Sequence, residues 1–232
     1  MIFYFYKETY KIILSMKQLL ISFYFIFLFT QSAFSSHLYG TELTYTCAGN
    51  DNYTFKLTVY RDCAAISIGP ITPFDASAYF TIFTGDGNLY ENKPAQSYYS
   101  ADYNSSNNTL VSVQLSNPCL IPPMNTCSEA TYYEFTVNLP FNSLGYHIVQ
   151  ERCCRDNNVV NLLNSGTTGM TTSIFLSKEA QQFCNNSPTF NEYSNYFFCI
   201  NETTEADFSA IDLDGDSLVY LLCVPNSGGS PF

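Results

Sequence analysis

The sequence predicts an all-β protein built as an antiparallel sandwich, on three observations. Aromatic residues make up 17 % of the chain and charged residues only 12 %, with 20 Phe, 19 Tyr and no Trp. That mixture favours strands over exposed helices. Apolar and polar residues alternate along two clear stretches, and clusters of Gly, Asn, Asp and Ser interrupt the chain at short intervals. A period of two marks a half-buried strand, and the clusters mark the turns between strands.

The chain opens with a leader. Met16-Lys17 is a short basic start, and Leu19 to Phe29 is an apolar run broken only by Ser22. Thr30-Gln31-Ser32-Ala33-Phe34-Ser35 follows, with small residues at −3 and −1 of a cut before Ser36. This is the form of a secretory signal peptide. A membrane span needs about 20 apolar residues, and Lys17 and the polar Thr30–Ser32 fence this run too tightly. Residues 1–35 are therefore set aside, with 1–15 read as an upstream extension before a start at Met16.

A β-sandwich domain is expected over residues 36–183. Tyr53, Phe55, Leu57 and Val59 share one face against Thr54, Lys56 and Thr58. Tyr133, Phe135, Val137 and Leu139 repeat this against Glu134, Thr136 and Asn138. Weaker strands are expected at 42–47, 78–84, 110–115, 146–154 and 170–176. Ala48–Asn52 and Gly85–Asn88 suit tight hairpins, while Asn104–Asn108 and Asn142–Gly145 read as turns. About seven short strands with such punctuation give an immunoglobulin-like plan. Ser177 followed by Lys-Glu-Ala-Gln-Gln-Phe offers a cap and helix formers for one short helix. From Cys184 the chain turns polar and reaches Pro188, as linkers do. Residues 184–232 are expected to hold a linker and the start of a second sandwich, with strands at 206–210 and 218–223.

The formal net charge is −11, and the leader removes more basic than acidic residues from the remainder. Such a field repels a phosphate backbone and an anionic membrane surface. It invites cations. The nine cysteines, Cys47, Cys63, Cys119, Cys127, Cys153, Cys154, Cys184, Cys199 and Cys223, all follow the leader. In an exported chain they read as disulfides. Zinc would want C-x₂-C pairs, and the sequence has none. Cys119 and Cys127 bracket a Pro-rich loop that a local bridge would staple. Neighbours Cys153 and Cys154 point to opposite faces of a strand and so take different partners, of which Cys63 is one candidate. Cys199 and Cys223 are candidates to close the second unit. An odd count leaves one thiol over.

One constellation carries chemistry. Asp212, Asp214 and Asp216 alternate around Gly215, and oxygen ligands at that spacing suit calcium. Position 12 counted from Asp212 is Cys223 rather than Glu, which excludes an EF-hand. Asp207 and Glu202 could add oxygens, and the plain alternative is an acidic turn without metal. The stretch Ala210–Tyr220 looks like the Asp-rich loop of cadherin-like and bacterial adhesin domains, where such loops bind calcium. Catalytic motifs are missing from the sequence: it has two histidines, His37 and His147, and no nucleophile elbow or phosphate loop. Arg152 and Arg155 flank the adjacent cysteines and could pair with carboxylates or bind a ligand, of which structural pairing is the reading adopted.

A broader resemblance runs through Ser36–Cys47, Val59-Tyr60-Arg61-Asp62-Cys63, Gln150–Asn157, Cys184–Phe190 and Asp212–Tyr220. In this order they resemble the N-terminal region of large secreted surface proteins of gliding bacteria, which carry immunoglobulin-like or PKD-type repeats. Those proteins end in a gliding-motility-associated sorting domain read by the type IX secretion system. The resemblance spans nearly all of 36–232 and implies a second cadherin- or PKD-like domain after 184. The repeat array and sorting domain are not in this sequence, so that secretion route is implied only by the resemblance. The expected function is a non-catalytic, adhesin-like interaction module, secreted or on the cell surface, facing an extracellular protein or glycan. The alternative is a targeting or substrate-binding region of a secreted enzyme with its catalytic domain downstream.

Overall fold

Alternation decides the first sheet. A computed structural model describes residues 38–63, 73–90, 98–115, 121, 126–153, 155, 159–165, 168–191, 195–197, 201–203, 205–224, 226 and 228. The leader and Cys119, Cys154 and Cys199 lie outside the described residues. All described residues belong to one compact unit, Ser35–Phe232, with no division at Cys184.

Strand β1 (Leu38–Gly49) pairs antiparallel with β2 (Asn52–Asp62). Asn50 and Asp51 sit between them, both at positive φ (52° and 60°), which is the two-residue hairpin turn that matches strand twist. The second sheet starts with β3 (Ser77–Thr84) and β4 (Tyr99–Asp102), then β5 (Thr109–Leu110) returns to the first sheet. A short β6 (Val113–Leu115) precedes β7 (Ser128–Asn138), β8 (Tyr146–Arg152) and β9 (Met170–Leu176). The sheets are β1-β2-β7-β5 and β4-β3-β8-β9, and both are wholly antiparallel. The fold is therefore the antiparallel, immunoglobulin-like β-sandwich that the alternation predicts.

Parity sets the core. Tyr53, Phe55 and Leu57 are at most 1 % exposed, as are Phe80, Ile82 and Ile148 of the opposite sheet. Phe135 stands between the layers, its ring centre 5.4 Å from Phe55 and 4.5 Å from Phe80. Tilted and offset aromatic pairs of this kind add about 0.5–1.5 kcal/mol each beyond their buried area.

Helix α1 (Lys178–Phe183) falls where the sequence predicts, with the Ser177 hydroxyl accepting the Ala180 N–H at 3.1 Å. Gln181 is buried on it and latches the β7–β8 turn, accepting the Asn142 N–H at 2.8 Å and donating to the Asn142 carbonyl at 3.2 Å. That turn ends on Gly145, at φ +76°. A Cβ there would lie 2.6 Å from the Phe175 ring and 2.7 Å from the Leu176 carbonyl oxygen. Gly145→Ala combines a left-handed backbone with overpacking, so it should cost about 2 kcal/mol. Thermal denaturation followed by circular dichroism checks this, and an unchanged melting curve would contradict it.

Three expectations are corrected. The stretch 110–115 splits into β5 and β6, because Val111 and Ser112 leave the ladder between them. Tyr99–Asp102 is a strand although only Ala101 of its four residues is buried, too little for an alternation signal. Residues 206–210 and 218–223 do not form strands. Of them only Ala210, with Ile211, pairs, as β12 (Ala210–Ile211) against β10 (Thr189–Phe190). β11 (Asn195–Phe197) runs parallel to β6. Residues 218–223 carry the apolar content of a strand but no ladder partner, and Val219, Leu221 and Leu222 are more than 80 % exposed.

Candidate functional site

Two disulfides hold the ends of the first sheet. Cys63 bonds Cys127, with Cα atoms 4.9 Å apart. The ladder between β2 and β7 runs out to Asp62↔Ser128, so the next residues on each strand meet side by side. The Cys63 N–H also donates to the Cys127 carbonyl at 3.1 Å. This corrects both expected pairings, the local staple of Cys119 with Cys127 and the partnership of Cys63 with Cys153 or Cys154. Cys153 is itself disulfide-bonded. Cys223 is a free, exposed thiol, so the expected bridge to Cys199 is not made.

Cys47 bonds Cys184, with Cα atoms 5.3 Å apart. Cys184 caps α1 in a left-handed conformation (φ 52°), which turns the chain back along β1. Ser187 there exchanges hydrogen bonds with Tyr45: its N–H donates to the Tyr45 carbonyl at 3.0 Å, and its hydroxyl accepts the Tyr45 N–H at 2.8 Å. The Asn186 side-chain oxygen accepts the Cys47 N–H at 3.0 Å. Residues 184–187 thus line the edge of β1 that β2 does not cover.

The acidic loop rests on this corner. One Asp212 oxygen accepts the N–H of Asp214 at 2.9 Å and of Asp216 at 3.1 Å, as a short polar side chain does in a turn. Asp214 accepts the Asn186 backbone N–H at 2.6 Å and its side-chain amide at 3.1 Å, and Asp216 accepts from the Asn185 amide. The loop lies close enough to be felt by Tyr45. Burial, then Tyr53, then Asp212, Asp214 and Asp216 push the Tyr45 phenol up to about 12. Among the described residues no three His, Cys, Asp or Glu side chains converge so as to hold a metal ion. As arranged, the three carboxylates are satisfied by N–H donors, and calcium would have to displace Asn185 and Asn186 to gather them. Asp207 serves its own turn by accepting the Ser209 N–H at 2.8 Å, which holds its carboxyl below the usual range.

Of the two arginines expected to form ion pairs beside the adjacent cysteines, Arg152 pairs with a carboxylate and Arg155 reaches backbone carbonyls. Arg152 forms an ion pair with Asp75, and Arg155 donates to the carbonyls of Gly169 and Asn226 at 3.2 and 3.4 Å. His147 lies on the β8 face with its ring centre 4.4 Å from Phe175, and burial keeps its imidazole pKa below the ordinary value.

A groove of about 440 Å³ crosses the outward face of the first sheet. Its floor is the opposite parity of the core residues. Glu42 stands directly across from Thr58, and Thr44 across from Lys56. Residues 109–112 form one wall and Thr189–Phe190 the other. Glu42 accepts the Tyr60 hydroxyl and the Phe190 N–H, each at a long 3.4 Å. The Lys56 ammonium lies 4.4 Å from the Tyr132 ring centre. The described ion pairs use Arg61 with Glu129, Arg152 with Asp75 and Lys178 with Glu179, and none uses Lys56. Parity shows which side chains face outward. It does not show the groove, because the walls come from segments more than 50 residues away on each side.

Comparison with protein-family models, with curated proteins and with solved structures found no match. Sandwich and staples together define a disulfide-bonded antiparallel β-protein, a build that belongs in an oxidising compartment. No helix among the described residues is long and apolar enough to cross a membrane.

Proposed function

We propose that this protein is an adhesin-like interaction module, secreted or displayed at the cell surface, that does no catalysis of its own. The observation that carries this reading is the outward groove, set on a sheet whose two ends are bolted by disulfides. A rigid sandwich that offers mixed polar groups on one face suits recognition without chemistry. The signal-peptide form of residues 1–35 supports export. The resemblance of residues 36–232 to the outer regions of large surface proteins of gliding bacteria supports display, and type IX secretion is part of the same proposal. Calcium is proposed as a stabiliser at Asp212, Asp214 and Asp216, supported by their spacing and by the acidic net charge.

The test is binding of the purified protein to intact cells and extracellular matrix, with calcium and with chelator. We expect retention on at least one such surface. Calcium at a hundred times its dissociation constant should add about 2.7 kcal/mol of stability, and Asp214→Ala should remove that gain. No retention on any surface under either condition would overturn the module reading. Identical melting curves with calcium and chelator would remove calcium from it.

A further inference from the structure

Resting on the module reading, we propose that the groove over β1 and β2 binds a neutral oligosaccharide. Four polar side chains make its floor, arranged as two adjacent cross-strand pairs, Glu42 with Thr58 and Thr44 with Lys56. Partners across a ladder stand about 5 Å apart, and pairs two residues along a strand about 7 Å. Such a rectangle is about the footprint of one sugar ring with its substituents.

The groups in it are chemically mixed. Glu42 accepts only, Lys56 donates only, and the two threonine hydroxyls do either. A sugar hydroxyl also does either, so each finds a match here without any buried group left over. Both hydrogen bonds that Glu42 already accepts are 3.4 Å long, at the weak end of the range, so a ligand hydroxyl can compete for it. Lys56 is held over Tyr132 rather than spent on a carboxylate, which leaves its N–H donors available at a fixed height above the sheet. On the wall Phe190 is 46 % exposed and Leu110 80 %, surfaces that suit the C–H faces of a sugar.

Charge decides against two other occupants. Lys56 has Glu134 as its ladder partner on β7 and Glu42 of β1 in the next outward-facing cross-strand pair, in a chain of net charge −11. An acidic polysaccharide or nucleic acid would meet more repulsion than attraction there. A peptide adding as a strand needs an open sheet edge, whereas this groove lies on a sheet face.

The experiment is an amide NMR titration of the purified protein with neutral gluco-, xylo- and manno-oligosaccharides. A uronic-acid oligomer and an unstructured peptide serve as comparators. We expect at least one neutral oligosaccharide to shift resonances of Lys56, Thr58 and Thr109, with little change between low and moderate salt. Lys56→Ala and Thr58→Val, both on the outward face, should each weaken that binding about tenfold while keeping the parent melting curve. The inference falls if no neutral oligosaccharide shifts these residues, if only the acidic oligomer or the peptide does, or if affinity survives both substitutions. Should cells still retain the protein in that event, the module reading stands and only the ligand class is wrong. Should retention be lost as well, both fall.

Discussion

Replacing Cys47 and Cys184 with serine should lower the melting temperature by about 10 °C or more, measured by circular dichroism without reductant. The bridge spans 137 positions of sequence. In the chain-entropy view a loop of that size is worth about 5 kcal/mol, and measured bridges more commonly return about 2–4. For a chain of this length each kcal/mol moves the midpoint by about 2–4 °C. The bond also anchors residues 184–187 against Tyr45 and Cys47, so its loss releases those hydrogen bonds too. Serine at Cys63 and Cys127 should cost less. Their separation is 64 positions, and the long β2–β7 ladder already holds the two strands in register beside them. Equal effects from the two bridges, or none from the longer one, would contradict this account.

Phe80→Ala should cost about 3–5 kcal/mol, the usual range for emptying an aromatic site in a core. Phe80 is 0 % exposed and sits on β3, between β4 and β8, so neighbouring strands limit any collapse into the void. Its ring contacts Phe135 across the layer gap, and Phe135 also stacks on Phe55 and Tyr99. One truncation therefore loosens a cluster drawn from both sheets. Phe175→Ala is the matched control. Phe175 is 45 % exposed and packs on His147, so it should cost no more than about 1 kcal/mol. Chemical denaturation separates the two, and similar midpoints for both variants would show that the interlayer cluster is not where the stability lies.

The core was readable because parity is a local property. Tyr53, Phe55, Leu57 and Val59 announce their face within seven residues, and that face is the buried one. The Ser177 cap is equally local, and the helix begins where it says. Disulfide pairing is different, since it depends on which strands become neighbours. Cys63 meets Cys127 because β2 pairs with β7, and no pattern around either cysteine states that pairing. The strand expected at 218–223 shows the limit from the other side: apolar content makes a strand possible, but a ladder partner makes it real. The acidic loop was visible as a spacing of aspartates. Its contact with Asn185 and Asn186 was not, because those residues read as a linker.

The strip Cys184–Ser187 along β1 has a consequence for the time course of synthesis. A ribosome releases the chain from its N-terminus, so β1 and β2 exist long before residue 187 does. Throughout that interval one margin of the sheet lies open to any passing strand, a known route to misassembly. Closure requires the two ends of the sandwich to find each other, a contact of long sequence range and hence a slow step. The newborn chain is thus obliged to stay incomplete, and therefore pliable, until almost all of the sandwich has been made.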